Sequence, residues 1–181
     1  MMNSSEALNE FIKLIDNPNA TLSELSDLIG KISVDDLVAP ENATTHLYTK
    51  VGSNKGFIND TIRVLDHTDA FKFLDIFDDE VKTFVVQKLS KNMPDVSDDV
   101  IFKLADDFLY GNFDNPNDIT KGLWGEISER FALQTKGAVV THIGDLDGAA
   151  TRVWWNVEMP AILNGDSVTS VNGIPRTHLR T

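Results

Sequence analysis

Residues 122–143 read GLWGEISERFALQTKGAVVTHI, and this stretch decides the fold class of the C-terminal part of the chain. Its first half places apolar residues at helical spacing and predicts a helix over residues 121–134. After Gly137 the pattern changes to a run rich in β-branched residues, which predicts a short strand over residues 138–143. A helix that leads directly into such a strand indicates a small α/β unit.

Downstream of this stretch the pattern continues as strand and loop. Residues 144–150 predict a loop, 153–158 an apolar extended segment, and 167–171 a further strand that stops at Asn172-Gly173. Pro160 either ends the extended segment or opens a turn of helix.

Upstream the pattern is helical. Thr21-Leu-Ser-Glu24 is a capping box that predicts the start of a helix. Apolar residues at helical spacing predict helices in five segments, 8–15, 25–32, 57–65, 70–89 and 100–108. We therefore expect an α+β fold in a single domain over 1–181. A mainly helical part over 1–120 precedes an α/β part over 121–181 that holds a short, parallel sheet.

The composition excludes several classes of site and partner. The chain has 181 residues and no cysteine, so disulfides, thiolate metal sites and a cysteine nucleophile are excluded. Its net charge of −12 disfavours binding to nucleic acid and to anionic membranes, which need a basic surface. No apolar run approaches the roughly 18 residues of a membrane helix, and the start MMNSSEALNEF lacks the pattern of a secretory signal. We expect no nucleic-acid partner, no membrane insertion and no signal peptide of its own.

Glu158 has the most unusual surroundings for its residue type. It stands in the apolar run VWWNVEMPAIL (153–163), where a carboxylate is unfavourable to bury unless it is paired, protonated or used. On an extended segment Trp154 and Asn156 would share the face of Glu158, while Trp155 would point into the core. That face combines an aromatic ring, an amide and an acid, and it suits a sugar or nucleotide. The alternative is a solvent-exposed Glu at a strand end beside two core tryptophans.

Trp124 is the second candidate, because Trp124, Ser128 and Phe131 share one face of the predicted helix. In a binding site, Trp124 would stack on a planar ring while Ser128 donates to a phosphate. The alternative is a core tryptophan beside a serine on the helix surface. Asp145-Leu-Asp-Gly148 lacks the ligand spacing of a calcium loop, and the four histidines show no metal spacing, so we expect no metal site.

Several of these segments together resemble the ADP-ribosyl cyclase / NAD glycohydrolase family. LWGEISERFA (123–132) is similar to a family helix in which Trp is followed four residues later by Ser and then by Arg-Phe-Ala. A strand follows, and WWNVE (154–158) resembles the family's aromatic residue and Val-Glu pair, whose Glu is catalytic. LYTKV (47–51) resembles the segment of a second active-site Trp, and LADDF (104–108) resembles a Leu-Ala-Asp-Asp stretch.

The resemblance implies an ADP-ribosyl cyclase-like fold and hydrolysis of the bond between nicotinamide and ribose in NAD or NADP. NAD is then a substrate, and no cofactor is implied. Glu158 would be the catalytic carboxylate that holds the ribose hydroxyls and stabilises the cation at C1′. Trp124 would stack on the nicotinamide, with Tyr48 or Trp154 as a second wall. Ser128 and Arg152 would hold the pyrophosphate, and Asn156 would also contact the substrate.

The chain departs from the family pattern at a second acidic residue that steers cyclisation. That position falls at Ser97, next to Asp98, or at Asp69 in another register, so hydrolysis is favoured over cyclisation. The chain also resembles cysteine-free versions of the family that occur as bacterial toxin domains at the ends of large secreted effectors, of the contact-dependent inhibition type. The resemblance therefore also implies action in the cytoplasm of a target cell and a cognate immunity protein.

Two other functions compete with this one. The charge of −12 suits a non-enzymatic acidic immunity or adaptor protein better than it suits a toxin. Alternatively, Glu158 with Asp145 or Asp147 would form the two carboxylates of another glycosidase or nucleosidase.

Overall fold

The computed structural model of the protein describes residues 2–33, 45–48, 80–142 and 152–179. In order, its elements are α1 (Ser4–Ile15), α2 (Leu22–Gly30), β1 (Thr45–Tyr48), α3 (Lys82–Asn92), α4 (Asp98–Tyr110), α5 (Gly122–Gln134), β2 (Gly137–His142), a π-helical turn (Trp154–Glu158), α6 (Met159–Asn164), β3 (Val168–Val171), β4 (Ile174–Pro175) and a 3₁₀ turn (Arg176–His178). The mixture of helices with a small sheet confirms the α+β class.

Helices α1 and α2 begin where side chains supply caps. Asn3 Oδ1 accepts a hydrogen bond from the backbone N–H of Glu6 at 2.9 Å, and Thr21 Oγ1 accepts one from that of Glu24 at 3.1 Å. Each bond satisfies a donor that the first helical turn leaves free. The second of these contacts confirms the helix start predicted from the capping box. The helices predicted over 57–65 and over the first part of 70–89 lie outside the described residues.

The sheet has the strand order β1-β2-β3-β4 and is mixed. β1 is parallel to β2, with Thr45 opposite Val139 and Tyr48 opposite His142, and β2 is parallel to β3. β4 is antiparallel to β3, so the prediction of a parallel sheet is correct for three strands and wrong for the last. The cause is a tight turn at Asn172-Gly173, where both residues have positive φ, 52° and 80°, and reverse the chain.

Two apolar cores lie on either side of the helices in the C-terminal part. The helical core contains buried residues from α1 through to the π-turn: Ala7, Phe11, Ala20, Leu25, Leu28, Ile29, Ile32, Val81, Phe84, Val85, Ala105, Leu109, Tyr110, Leu123, Ile127, Val153 and Val157. The sheet core is smaller: Ala132, Val139, Trp154, Ile162, Val168 and Val171. Both α5 and the π-turn contribute to each core, so they form the layer between the helices and the sheet.

The segment that follows the loop after β2 is helical, which corrects the prediction of an extended segment over 153–158. Residues 152–164 form one helical stretch, called here the 152–164 helix, with a π-turn in its first half. In that turn the N–H of Met159 bonds to the carbonyl of Trp154, five residues earlier. Pro160 follows at once, and because proline has no N–H and its ring crowds the preceding turn, the regular ladder is disturbed there. A short apolar run does not by itself distinguish a strand from a buried helix.

Candidate functional site

Glu158 lies on the face of the 152–164 helix that covers the sheet. Trp154 precedes it by four residues and Ile162 follows it by four, and both belong to the sheet core. Residues four apart lie above one another on a helix, so the carboxyl group stands in the middle of an apolar stripe. Val153 and Val157, on the adjacent face, belong to the helical core. Glu158 therefore sits between the two cores, only 8% exposed.

The carboxyl group of Glu158 has no hydrogen bond or ion pair with the residues that the structure describes. Burial in apolar surroundings disfavours the charged form and raises the pKa of Glu158 to about 8, from 4.5. The group is therefore mostly protonated at neutral pH and ionises when an opposite charge approaches or the pH rises. A buried acid of this kind, without a partner in the described part of the chain, is a candidate functional group.

Trp154, four residues before Glu158 on the same helix, carries a second polar atom that lacks a partner among the described residues. The residue is 6% exposed, and its indole Nε1 is buried with no hydrogen-bond acceptor within the described ranges. Buried donors in folded proteins almost always have an acceptor. The 152–164 helix thus carries a buried donor and a buried acid, four residues apart, that have no partner among the described residues.

The helical conformation changes which neighbours share the face of Glu158. Trp154 does share it, but Asn156 does not: it is exposed, and its Nδ2 donates to the carbonyl of Arg152 at 2.9 Å. Trp155 is 48% exposed, so the prediction that it points into the core is wrong. The prediction was wrong because it assumed a strand, in which alternate residues share a face. In a helix every third or fourth residue shares a face instead.

The carboxyl ends of the parallel strands define the edge of the sheet where this face begins. β1 ends at Tyr48 and β2 ends at His142, and these two residues are paired in register. The 152–164 helix connects the end of β2 to the start of β3, so it runs from the carboxyl edge back to the opposite edge. Trp154 therefore lies towards the carboxyl edge, where open α/β sheets bind ligands. The backbone of Tyr48 ends at this edge too; its side chain lies outside the described residues.

Helix α5 starts at the same end as the 152–164 helix. Gly111 contacts the start of α5, because a Cβ on Gly111 would lie 2.8 Å from the carbonyl carbon of Lys121. The same Gly111 carbonyl accepts a bond from Nη1 of Arg152 at 3.0 Å. Trp124, in the first turn of α5, is thereby placed at the end of the layer where Arg152 and Trp154 lie.

Trp124 and Ser128 differ in their surroundings. Trp124 is half-buried and packs against the helical core. Ser128 is 7% exposed on the middle of α5. Gly125 lies between them, and a Cβ there would meet Val157 at 3.7 Å, so α5 and the π-turn pack closely. Ser128 is therefore buried on α5, one turn from the close contact between Gly125 and Val157.

Arg152, expected to bind a pyrophosphate, is partly engaged within the protein. Besides the Gly111 carbonyl, its Nη1 contacts Asp107 Oδ1 at 3.5 Å. Asp107 also contacts Lys103 at 3.2 Å and Asn112 at 3.2 Å. Sequence reasoning missed Asp107, because the pairing joins residues 45 positions apart. The local signal for this region was the pair Gly111 and Gly122, which lie at the two ends of the loop between α4 and α5 and whose backbones approach closely.

The remaining candidates stand apart from this face or outside the described ranges. Ser97 is the N-cap residue of α4, and Asp98 is exposed in its first turn. Asp69, Asp145 and Asp147 lie outside the described residues, so the paired-carboxylate alternative has no described second acid. Within the described ranges no group of three or more His, Asp or Glu residues is placed to hold a metal ion.

Comparison of the chain with protein-family models, with curated proteins and with solved structures finds no match. Among the residues that the structure describes, no helix has both the length and the apolar character needed to cross a membrane.

Proposed function

We propose that the protein is an NAD glycohydrolase that cleaves the bond between nicotinamide and ribose in NAD or NADP. The observation that carries the proposal is Glu158, a buried acid with no partner among the described residues, one turn from an unpartnered indole N–H. Its place on a helix that starts at the carboxyl edge of the sheet supports a ligand site there. The resemblance of residues 123–132 and 154–158 to the ADP-ribosyl cyclase / NAD glycohydrolase family supports NAD or NADP as the ligand.

The chemistry needs only one carboxylate. The C1′–N bond breaks with its electron pair moving to the nicotinamide nitrogen, which loses its positive charge and leaves as neutral nicotinamide. The ribose becomes an oxocarbenium-like cation, which the ionised Glu158 stabilises. Water then attacks C1′ and loses a proton, so the products are nicotinamide, ADP-ribose and one proton. No acid is needed to expel the leaving group, because it departs uncharged.

The protonation of Glu158 suits a cationic substrate. In the free protein burial raises the pKa of this carboxyl to about 8. When the positively charged nicotinamide ring enters, the opposite charge favours the carboxylate, and its proton is released. The low dielectric of the surroundings then strengthens the attraction between the carboxylate and the developing cation.

The other residues have supporting roles in this proposal. Trp124 stacks on the nicotinamide ring at the end of the layer, with Tyr48 on the neighbouring strand as a second contact. Arg152 offers the guanidinium nitrogens that Asp107 and Gly111 do not occupy to a pyrophosphate oxygen. Ser128 and Asn156 remain candidate contacts of the phosphates and ribose. The natural setting that we propose is a toxin domain that depletes NAD in a target cell's cytoplasm and is blocked by an immunity protein.

The test is chromatography of NAD incubated with the purified protein, with Glu158→Gln as the comparison. We expect nicotinamide and ADP-ribose from the wild type and a loss of rate of at least about 100-fold in the variant. Glu126→Gln removes an exposed carboxylate from α5 and should keep full activity. An inactive wild type at high protein concentration would reject the proposal and favour an acidic binding protein. Equal activity in wild type and Glu158→Gln would reject the role of Glu158.

A further inference from the structure

Two asparagines in the C-terminal part of the chain are followed by glycine, at Asn164-Gly165 and at Asn172-Gly173. An asparagine can lose its side-chain amide without an enzyme when the backbone nitrogen of the next residue attacks its Cγ atom. Glycine permits this attack most readily, because it has no Cβ and its backbone is the most flexible. The two dipeptides share the same local chemistry, so the tertiary structure decides which of them reacts.

The side chain of Asn172 is held by strand β2 through both of its polar atoms. Its Oδ1 accepts a hydrogen bond from the backbone N–H of Thr141 at 2.8 Å, and its Nδ2 donates to Thr141 Oγ1 at 2.7 Å. The backbone N–H of Asn172 donates to the carbonyl of Val139 at 2.9 Å. The side chain therefore continues the pairing of β3 with β2. Before its Cγ can reach the nitrogen of Gly173, both side-chain bonds must break.

Asn164 has the opposite surroundings. It is the last residue of α6 and is exposed, and its side chain makes no hydrogen bond within the described ranges. The helix stops there because Gly165 is extended, with φ −90° and ψ 173°. Arg176 contributes one long hydrogen bond to this turn, from Nη1 to the carbonyl of Leu163 at 3.4 Å. Helix ends fray, and a frayed last turn lets the Asn164 side chain reach the nitrogen that follows it.

We propose that Asn164 is a site of spontaneous deamidation and that Thr141 protects Asn172 from the same reaction. The Gly165 nitrogen loses its proton to solvent and bonds to Cγ of Asn164. The bond from Cγ to Nδ2 then breaks, and the nitrogen takes up a proton and leaves as ammonia. Water opens the resulting cyclic imide at either carbonyl, which gives aspartate or isoaspartate. The product places a negative charge at the carboxyl end of the 152–164 helix, where the helix dipole disfavours it.

The experiment follows both asparagines in the wild-type protein kept at pH 8 for days. Trypsin releases them in one peptide, 153–176, so fragmentation in a mass spectrometer compares the two sites at equal recovery. We expect Asn164 to convert at least about 10-fold faster than Asn172 in the folded protein, because two hydrogen bonds hold Asn172. In urea the two sites should convert at similar rates. This inference does not depend on whether the protein cleaves NAD.

Two results with the wild type would overturn the inference. One is conversion of Asn172 in the folded protein at a rate equal to or above that of Asn164. The other is no conversion of Asn164 during the time in which the unfolded chain converts, since the end of α6 would then not open.

Gly165→Ala tests the route of the reaction. Alanine fits this position, because a φ of −90° is open to it and its Cβ would meet the Ala161 carbonyl oxygen at 3.4 Å, an ordinary contact. The added Cβ hinders the attacking nitrogen, so conversion of Asn164 should be suppressed while that of Asn172 stays unchanged. Conversion of Asn164 at the wild-type rate would reject attack by this nitrogen.

Thr141→Val tests the protection of Asn172. Valine suits a strand but lacks the hydroxyl that Asn172 Nδ2 contacts, so conversion of Asn172 should become about 3- to 10-fold faster. Thr169→Val is the matched control, because it removes an exposed hydroxyl from β3 and should change neither rate. An unchanged rate at Asn172 in Thr141→Val would show that this hydroxyl does not protect it.

Discussion

The burial of Glu158 makes the free energy of unfolding depend on pH. In the folded chain the pKa of this carboxyl is about 8, against 4.5 in an ordinary setting, because burial disfavours its charged form. Below pH 4.5 both folded and unfolded chains are protonated, and the group has no effect. Between 4.5 and about 8 the unfolded chain loses the proton that the folded chain keeps, so the unfolded state gains stability as the pH rises.

Glu158→Gln should therefore stabilise the protein by an amount that grows with pH. The difference in free energy of unfolding between variant and wild type should increase by about 1.4 kcal/mol per pH unit above pH 4.5 and level off near pH 8. Thermal melts of both proteins at pH 4, 6 and 8 measure it. Glu126→Gln is the control for the loss of an exposed charge. A difference that does not change with pH would mean that the carboxyl group has a partner in the folded protein.

Among the elements, the start of α5 depends on a close contact between two glycines. Gly111 and Gly122 both have positive φ, 89° and 74°, and lie at the two ends of the loop between α4 and α5. A Cβ on Gly122 would lie 2.4 Å from the backbone nitrogen of Gly111. Since Arg152 bonds to the Gly111 carbonyl, this contact also holds the beginning of the 152–164 helix.

Gly122→Ala should lower the free energy of unfolding by about 3 kcal/mol or more, because the clash is with backbone that must move. Gly173→Ala is the matched control, since its φ of 80° is similar but nothing lies within 4 Å of its Cβ. Its free energy of unfolding should fall by only about 1–2 kcal/mol, the cost of placing a non-glycine residue in the left-handed conformation. Denaturant titration compares the two. Equal losses would show that the backbone conformation, and not the close approach, is what requires glycine at 122.

At the scale of the whole molecule, the N-terminal and C-terminal parts share both their sheet and their core. β1, from the first 120 residues, pairs with β2. The helical core joins Ala7 and Phe11 of α1 to Val153 and Val157 beside the candidate site. Arg130 of α5 adds polar contacts, donating to the carbonyls of Ile29 at 2.7 Å and Ile32 at 3.1 Å.

The fragments 1–120 and 121–181 should consequently not fold separately. Each would expose the part of the helical core that the other covers, and the sheet would lose the pairing of β1 with β2. Circular dichroism with thermal melting should show a cooperative transition for the full chain and none for either fragment. Independent folding of 121–181 would mean that the α/β part is a domain of its own.

The sequence by itself determined the elements whose signals are local. The helix starting after Thr21 and helix α5 follow from a capping box and from helical spacing of apolar residues, and strand β2 follows from its run of β-branched residues. Strand β3 was predicted up to its stop at Asn172-Gly173. Glu158 was identified because a single carboxylate in an apolar run is unusual whether the run forms a strand or a helix. The turn at Asn172-Gly173 also has a local signal, because asparagine and glycine tolerate positive φ.

Only the tertiary structure decided the features that depend on distant partners. β1 is a strand because it pairs with β2, about 94 positions later, and no periodicity in four residues predicts that. The 152–158 segment is helical because one side packs on α5 and the helical core while the other covers the sheet, and an apolar run fits either conformation. The helical conformation determines which neighbours share the face of Glu158: Trp154 lies on that face, and Asn156 lies on the exposed side. Local pattern fixes which residues must be buried, whereas long-range packing selects the backbone conformation that buries them.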